Sequence, residues 1–368
     1  MRIGGTDHSR QSVLRHIGHV SQLGGTRHYQ LTEGAGSGLR AIDFDTGSGF
    51  RFTVLPDRGL DISGASYRGV NLVYRTPNGE MAPVFAEPPG RGWLRTFFGG
   101  LLATCGVTHF GPPCVDEGVE LGMHGRHDLI PARRVCDTSD WDGDDYVLSV
   151  RGTVEDCALF SDWMRMDRGI RSRIGARHLR IGDVVTNFGH EPAPFTVLYH
   201  INAGFPLLGP ESELLLSRAS TEPLNGEASR VGTDEVTRFG QPVAGAGEQV
   251  FLHRMVGNEE GFALAALVNR ALGDGGLGLY VKFPVSALPV MVEWKLMGAG
   301  AYVVGMEPCN TDLMSRADLR EKGVLPMLAP GEAAEIMLEI GVLDGRDEID
   351  GFAGAVASCS GQVNHLQQ

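Results

Sequence analysis

The stretch LRAIDFDTGSGFRFTV, residues 39–54, decides the fold. Ile42 and Phe44 alternate with polar neighbours, as do Phe50, Phe52 and Val54, and Thr46-Gly47-Ser48-Gly49 separates the two runs. Alternation of period two puts the apolar side chains of each run on one face, the pattern of half-buried strands, and the glycine-containing interruption reads as a hairpin turn. The pattern returns at Tyr146, Leu148 and Val150, and at Ala334, Ile336, Leu338, Ile340 and Val342, while ALGDGGLGLY (271–280) reads as another hairpin turn. The chain has 52 glycines in 368 residues, about twice the usual share, which implies many turns and short connections. An all-β-dominated chain follows, an antiparallel β-sandwich with a few short helices.

Three stretches read as helical. Val13, Ile17, Val20 and Leu23 recur at helical spacing before Gly24-Gly25, so the segment 1–38 is read as partly helical. Leu94, Phe97, Phe98, Leu101 and Leu102 give the same spacing across WLRTFFGGLL, and Ile349, Phe352, Ala353 and Val356 suggest a closing helix. No linker, charge block or repeat marks a cut, so residues 1–368 are read as one domain.

Lysine plus arginine minus aspartate plus glutamate is 32 − 45 = −13, without a basic run, which argues against nucleic acid and anionic membrane as partners. The most apolar stretch, Phe262 to Val268, is too short to span a bilayer, and residues 1–11 lack an apolar signal core. The expectation is a cytoplasmic protein. Cys105, Cys114, Cys136, Cys157, Cys309 and Cys359 form no C-x-x-C pair and are expected as reduced, buried thiols. Phosphate-loop, dinucleotide and nucleophile-elbow motifs are missing, so nucleotide, hydride and serine-hydrolase chemistry lack support, and neither cofactor nor metal is expected.

What remains is polar and protonic. FTVLYHINAGFPLL (195–208) puts Thr196, Leu198, His200 and Asn202 on one strand face, and YVVGMEPCN (302–310) ends an apolar run on Glu307. GMHGRHDLIPA (122–132) carries His124, Arg126 and His127; as an extended run it would place His124 and Arg126 together, and a metal bound by His124 and His127 is the weaker alternative. VEWKLMG (292–298) sets Glu293 and Lys295 opposite Trp294, either as a salt bridge or as a pocket lining, and LPDRGLDI (55–62) offers Arg58 and Asp61 as an ion pair across a turn. Such groups, with Trp93 as core or stacking platform, suit a small carbohydrate, whose hydroxyls need hydrogen bonds and whose C–H faces pack on aromatic rings.

In their order along the chain, LPDRGLDI, GWLRTFFGGLLATCG, MHGRHDLIPA, YHINAGFPLL, LPVMVEWKLMG and YVVGMEPCN resemble a branch of the aldose 1-epimerase (galactose mutarotase-like) superfamily, from about Arg40 to Val342. The resemblance implies a large antiparallel β-sandwich of galactose mutarotase type and an isomerase that interconverts sugar anomers without a cofactor. It also implies that Glu307 takes the proton of the anomeric hydroxyl, that His200 protonates the ring oxygen and that His124 positions the sugar. Around His200 the sequence Tyr199-His200-Ile201-Asn202 departs from the family's usual motif. Arg58, Arg126, Glu293 and Lys295 belong to segments typical of this branch, and with Asn202 and Trp93 they are expected to bind substrate, the arginines favouring an anionic sugar. A metal-assisted sugar isomerase and a non-catalytic carbohydrate-binding protein are the alternatives. A homodimer through an exposed sheet face is the remaining expectation.

Overall fold

The hairpin at residues 39–54 forms as its pattern predicts. Arg40–Asp45 pairs antiparallel with Phe50–Leu55, Ile42 opposite Val54 and Phe44 opposite Phe52, and the phenylalanines are buried in contact with one another. In this computed structural model, which describes residues 1–233 and 235–366, the hairpin belongs to a five-stranded sheet with Gly25–Gln30, Asp61–Tyr67 and Val70–Asn71. A nine-stranded sheet contains the long strands Asp145–Cys157, Trp163–Arg173, His178–Asn187 and Ala333–Asp344 side by side. The third sheet has six strands, β1 (Ala103–Val107), β2 (Thr196–Gly204), β3 (Arg218–Pro223), β4 (Gln249–Met255), β5 (Val290–Gly298) and β6 (Ala301–Cys309), in spatial order β3-β4-β5-β6-β2-β1. All of its pairings are antiparallel.

One large core joins the three sheets. It takes Phe44 and Phe52 from the first, Ile170, Ile181 and Leu338 from the second, and Val197, Tyr199 and Met306 from the third. This is the expected sandwich. Its interior includes a charged network: Arg168 pairs with Asp61 at 2.9 Å and Asp183 at 2.7 Å, and the Tyr199 hydroxyl donates to Asp183. Asp61 is thus not the partner of Arg58, as the turn reading had it. Each found its opposite charge far along the chain, Arg58 pairing with Asp128 at 3.0 Å. The opposite face of the six-stranded sheet carries a second apolar cluster of Ala103, Cys105, Leu198, Val292 and Cys309 under Trp93, Phe97 and Phe110.

The WLRTFFGGLL reading needs correction. Only Gly92–Arg95 forms a 3-10 turn. Gly99 and Gly100 then adopt φ of +75° and +77°, and a β-carbon there would lie 2.5 Å from the Tyr74 carbonyl oxygen and 2.6 Å from that of Ile62. The chain crosses two neighbouring segments at those points, a close approach that excludes a helix and requires glycine. Phe97 and Phe98 join the second cluster, whereas Leu101 and Leu102 join the main core, so the apparent helical stripe is one segment passing between two cores. At the N-terminus the helix is limited to Arg10–Leu14, with a 3-10 turn at Val20–Gln22, and the closing helix spans Arg346–Leu366. All six cysteines are free, but Cys136 and Cys157 are exposed and Cys114 is half-buried. Among the described residues no helix is long and apolar enough to cross a membrane.

Candidate active site

Sheet register decides which side chains meet. Glu307 on β6 lies opposite Val292 on β5, and Gly305 lies opposite both Trp294 on β5 and Asn202 on β2. Cross-strand partners share a face, so Thr196, Leu198, His200, Asn202, Gly305, Glu307 and Trp294 all project from the face that carries the second cluster. All nine residues of β2 are buried.

The centre is His200 and Glu307. Nε2 of His200 is 3.2 Å from Oε1 of Glu307, and the side chains retain only 6% and 3% exposure. Oε1 nevertheless completes no hydrogen bond, nor does Oγ1 of Thr196; Nδ1 of His200 and Oδ1 of Asn202 complete none of ordinary geometry either, although the Asn202 side chain is near enough to favour a proton on His200. Buried polar groups almost always find partners, so these atoms are unfilled hydrogen-bonding capacity on one face. The Asn202 amide donates to the carbonyls of His200 and Gly100, which fixes that side chain.

Gly305 makes the carboxylate's position possible. A β-carbon on it would sit 2.3 Å from Oε1 of Glu307 and 3.2 Å from the Trp294 β-carbon. Burial, then the negative charges of Glu248 and Glu293, raise the Glu307 pKa well above the usual carboxylate range. Burial, and then His124, push the His200 pKa well below the ordinary histidine value. His124 is held in the left-handed region at φ +59°, and its Nδ1 accepts from the Gly111 N–H at 3.4 Å. The neutral ring therefore carries its proton on Nε2. Burial brings its pKa down to about 3.

Aromatic rings enclose the pair. His200 lies 5.1 Å from Phe97, 5.5 Å from Trp294, 6.0 Å from His124 and 6.2 Å from Trp93, measured between ring centroids. Trp294 is half-buried and donates its indole N–H to Glu248 at 3.0 Å. Glu248, Phe97 and Gly305 escape sequence reasoning, because no motif marks Glu248 ahead of β4 and the other two appear there as helix and strand filler.

The remaining residues expected to bind substrate are placed elsewhere. Glu293 and Lys295 share the opposite face of β5, where Glu293 pairs with His253 at 3.0 Å and Lys295 donates to the carbonyls of Glu235 and Arg238. Arg126 is half-exposed and paired with Asp156 at 2.8 Å. It lines a separate cavity of about 560 Å³, because the loop around His124 is not extended and turns the two side chains apart. Arg58 is fully buried against Asp128, and Trp93 is 3% exposed. None of the three cations is free near His200, so the anion-favouring pocket is not assembled. His127 packs near Gly59 rather than beside His124, and among the described residues no three histidine, cysteine or acidic side chains converge as metal ligands.

A six-stranded antiparallel sheet packed against a second large antiparallel sheet is the fold of galactose mutarotase-like proteins. A Klebsiella pneumoniae protein provisionally named an aldose 1-epimerase superposes with a TM-score of 0.84 at 22% identity, over 95% of this chain and 94% of that one. A galactose mutarotase-like protein from Clostridium acetobutylicum gives 0.61 at 13% identity (88% and 100% covered), and a galactose 1-epimerase from Lactobacillus acidophilus gives 0.55 at 13% (87% and 99%). No curated protein matches the sequence. Residues 36–342 match the family described as a domain of unknown function, DUF4432, and the chain belongs to that family.

Proposed function

We propose that the protein is a carbohydrate mutarotase of the aldose 1-epimerase kind, with Glu307 and His200 exchanging protons with a cyclic sugar. The supporting observation is the buried pair at 3.2 Å with unfilled hydrogen-bond capacity inside an aromatic box. Opening a hemiacetal requires one group that takes the O1 proton and one that gives a proton to the ring oxygen. A neighbouring histidine and glutamate that share one proton supply both. In the ion-pair tautomer Glu307 takes and His200 gives; rotation about C1–C2 followed by the reverse transfers closes the other anomer. His124 presents an N–H to an oxygen of the sugar, and half-buried Trp294 offers a ring face to its C–H groups. The chemistry needs no cofactor.

Exchange NMR of anomeric protons across neutral, acidic and deoxy sugars tests the reading. Accelerated exchange for one sugar, reduced at least about 100-fold in both Glu307→Gln and His200→Asn, is the expected result. Undiminished exchange in either folded variant, or binding of a sugar without any acceleration, would refute it.

A further inference from the structure

Behind the aromatic box lies a buried ion pair that touches no open space. Arg58 uses four of its five N–H groups: Nε on the Asp128 carbonyl at 2.7 Å, one terminal nitrogen on the Asp128 carboxylate at 3.0 Å, the other on the carbonyls of Met81 and Thr96. Its guanidinium also lies over the Phe98 ring at 5.0 Å. The second Asp128 oxygen accepts the indole N–H of Trp93 at 3.2 Å. Trp93 in turn packs on Phe97 at 4.4 Å and His124 at 4.6 Å, and its plane lies within 29° of the His200 ring. At 3% exposure it has no ring surface to offer a sugar.

We propose that Arg58 and Asp128 are positioning residues that hold Trp93 as a fixed wall behind the imidazoles of His124 and His200. The proposal rests on the acid–base reading of His200. A charged carboxylate makes a stronger acceptor than a neutral one, and a planar guanidinium held at several points cannot swing. The orientation of the indole is thereby tied to the backbone around Met81, Thr96 and Asp128. Both histidines lean on it, so a loosened tether shifts the proton-transfer geometry without altering any group that contacts substrate.

The test uses Trp93→Phe, which keeps an aromatic ring but cannot donate to Asp128, and Asp128→Asn, which removes the charge. Anomer exchange is followed with the sugar identified by the panel, and the ring resonances of His124 and His200 are followed by NMR in every variant. The expected result for Trp93→Phe is a kcat lower by about tenfold with KM changed by less than about twofold, together with displaced resonances of both histidines. If Asp128→Asn does not fold, because Arg58 is left without its counter-charge, Trp93→Phe alone decides. Wild-type kcat and undisplaced resonances in Trp93→Phe would overturn the proposal, even where Glu307→Gln is inactive. A wild-type protein that turns over no sugar would overturn the functional reading instead, and the histidine resonances would still report whether the wall exists.

Discussion

The six-stranded sheet carries a histidine–glutamate pair on each face, and their geometry is almost the same. On the front, His200 and Glu307 stand 3.2 Å apart; on the back, His253 and Glu293 stand 3.0 Å apart. The back pair has no accessible surface, and both nitrogens of His253 are engaged, one by Glu293 and the other by the Thr221 hydroxyl. The front pair retains a few per cent of exposure and leaves Nδ1 of His200 and Oε1 of Glu307 without a completed hydrogen bond, beside the rings of Phe97 and Trp294, whereas the back pair leaves only Oε1 of Glu293 unpartnered. Chemical identity and distance therefore do not distinguish the two pairs. An unfilled ring nitrogen and a trace of exposure do.

Mutation separates the pairs most strongly. Glu307→Gln is expected to lower anomer exchange at least about 100-fold while leaving the thermal midpoint at pH 8 unchanged or higher, since it removes a carboxyl group whose ionisation burial opposes. Glu293→Ala is expected to do the reverse, costing about 3–5 kcal/mol of stability by stripping the partner from a fully buried pair. Calorimetry and exchange NMR on the two variants together decide; equal losses of stability would erase the distinction between the faces.

Gly305→Ala probes the front face without replacing His200 or Glu307. Its β-carbon would fall 2.3 Å from Oε1 of Glu307, so the carboxylate must move, and its new position is set by Trp294 on the other side. An exchange rate lower by about tenfold in a folded protein is expected, on the principle that small misplacements of reacting groups are costly. An unchanged rate would mean that the carboxylate's observed position does not matter for reaction.

A smaller effect concerns pH. The His124 pKa is lowered to about 3 in the folded protein, so the unfolded chain binds the extra proton first as pH falls below 6.5. The contribution of His124 to stability is present above 6.5 and is lost as pH falls toward 3. His124→Asn lacks this term, and asparagine tolerates the left-handed backbone at this position. The midpoint difference, wild type minus variant, should shrink between pH 7 and pH 4; a constant difference would show that burial does not hold this ring neutral.

How much of this was legible follows from the same two faces. Period two correctly put His200 beside Asn202 and Glu293 beside Lys295 opposite Trp294. It could not say which parity of β5 faces Glu307, because that depends on a cross-strand register, Val292 opposite Glu307, which no single strand encodes. Trp294 therefore lies at the site and its neighbours Glu293 and Lys295 lie behind it. Distance along the chain hid the rest: Arg58 looked paired with Asp61, three residues on, and found Asp128 seventy residues away. WLRTFFGGLL misled for a related reason, since helical spacing of apolar residues also arises when a segment feeds two cores in turn.

The smallest expected effect belongs to the rim. Glu248 accepts from the Trp294 indole and adds negative charge near Glu307, raising the pKa of that carboxyl after burial itself. Glu248→Gln keeps an acceptor for the indole and removes the charge. If Glu307 reacts as the base, the rate rises with pH as it ionises, so removing Glu248 shifts that limb of the profile to lower pH. The shift should be modest, because Glu248 lies at the solvent edge, and it should shrink further in concentrated salt, where the wild-type charge is already screened. The back face predicts the opposite behaviour, since a sealed pair is screened much less by added ions. A limb that moves with salt in the wild type but not in Glu248→Gln would assign the tuning to the rim; a limb fixed in both would leave burial and the sealed charge of Glu293 in control of Glu307.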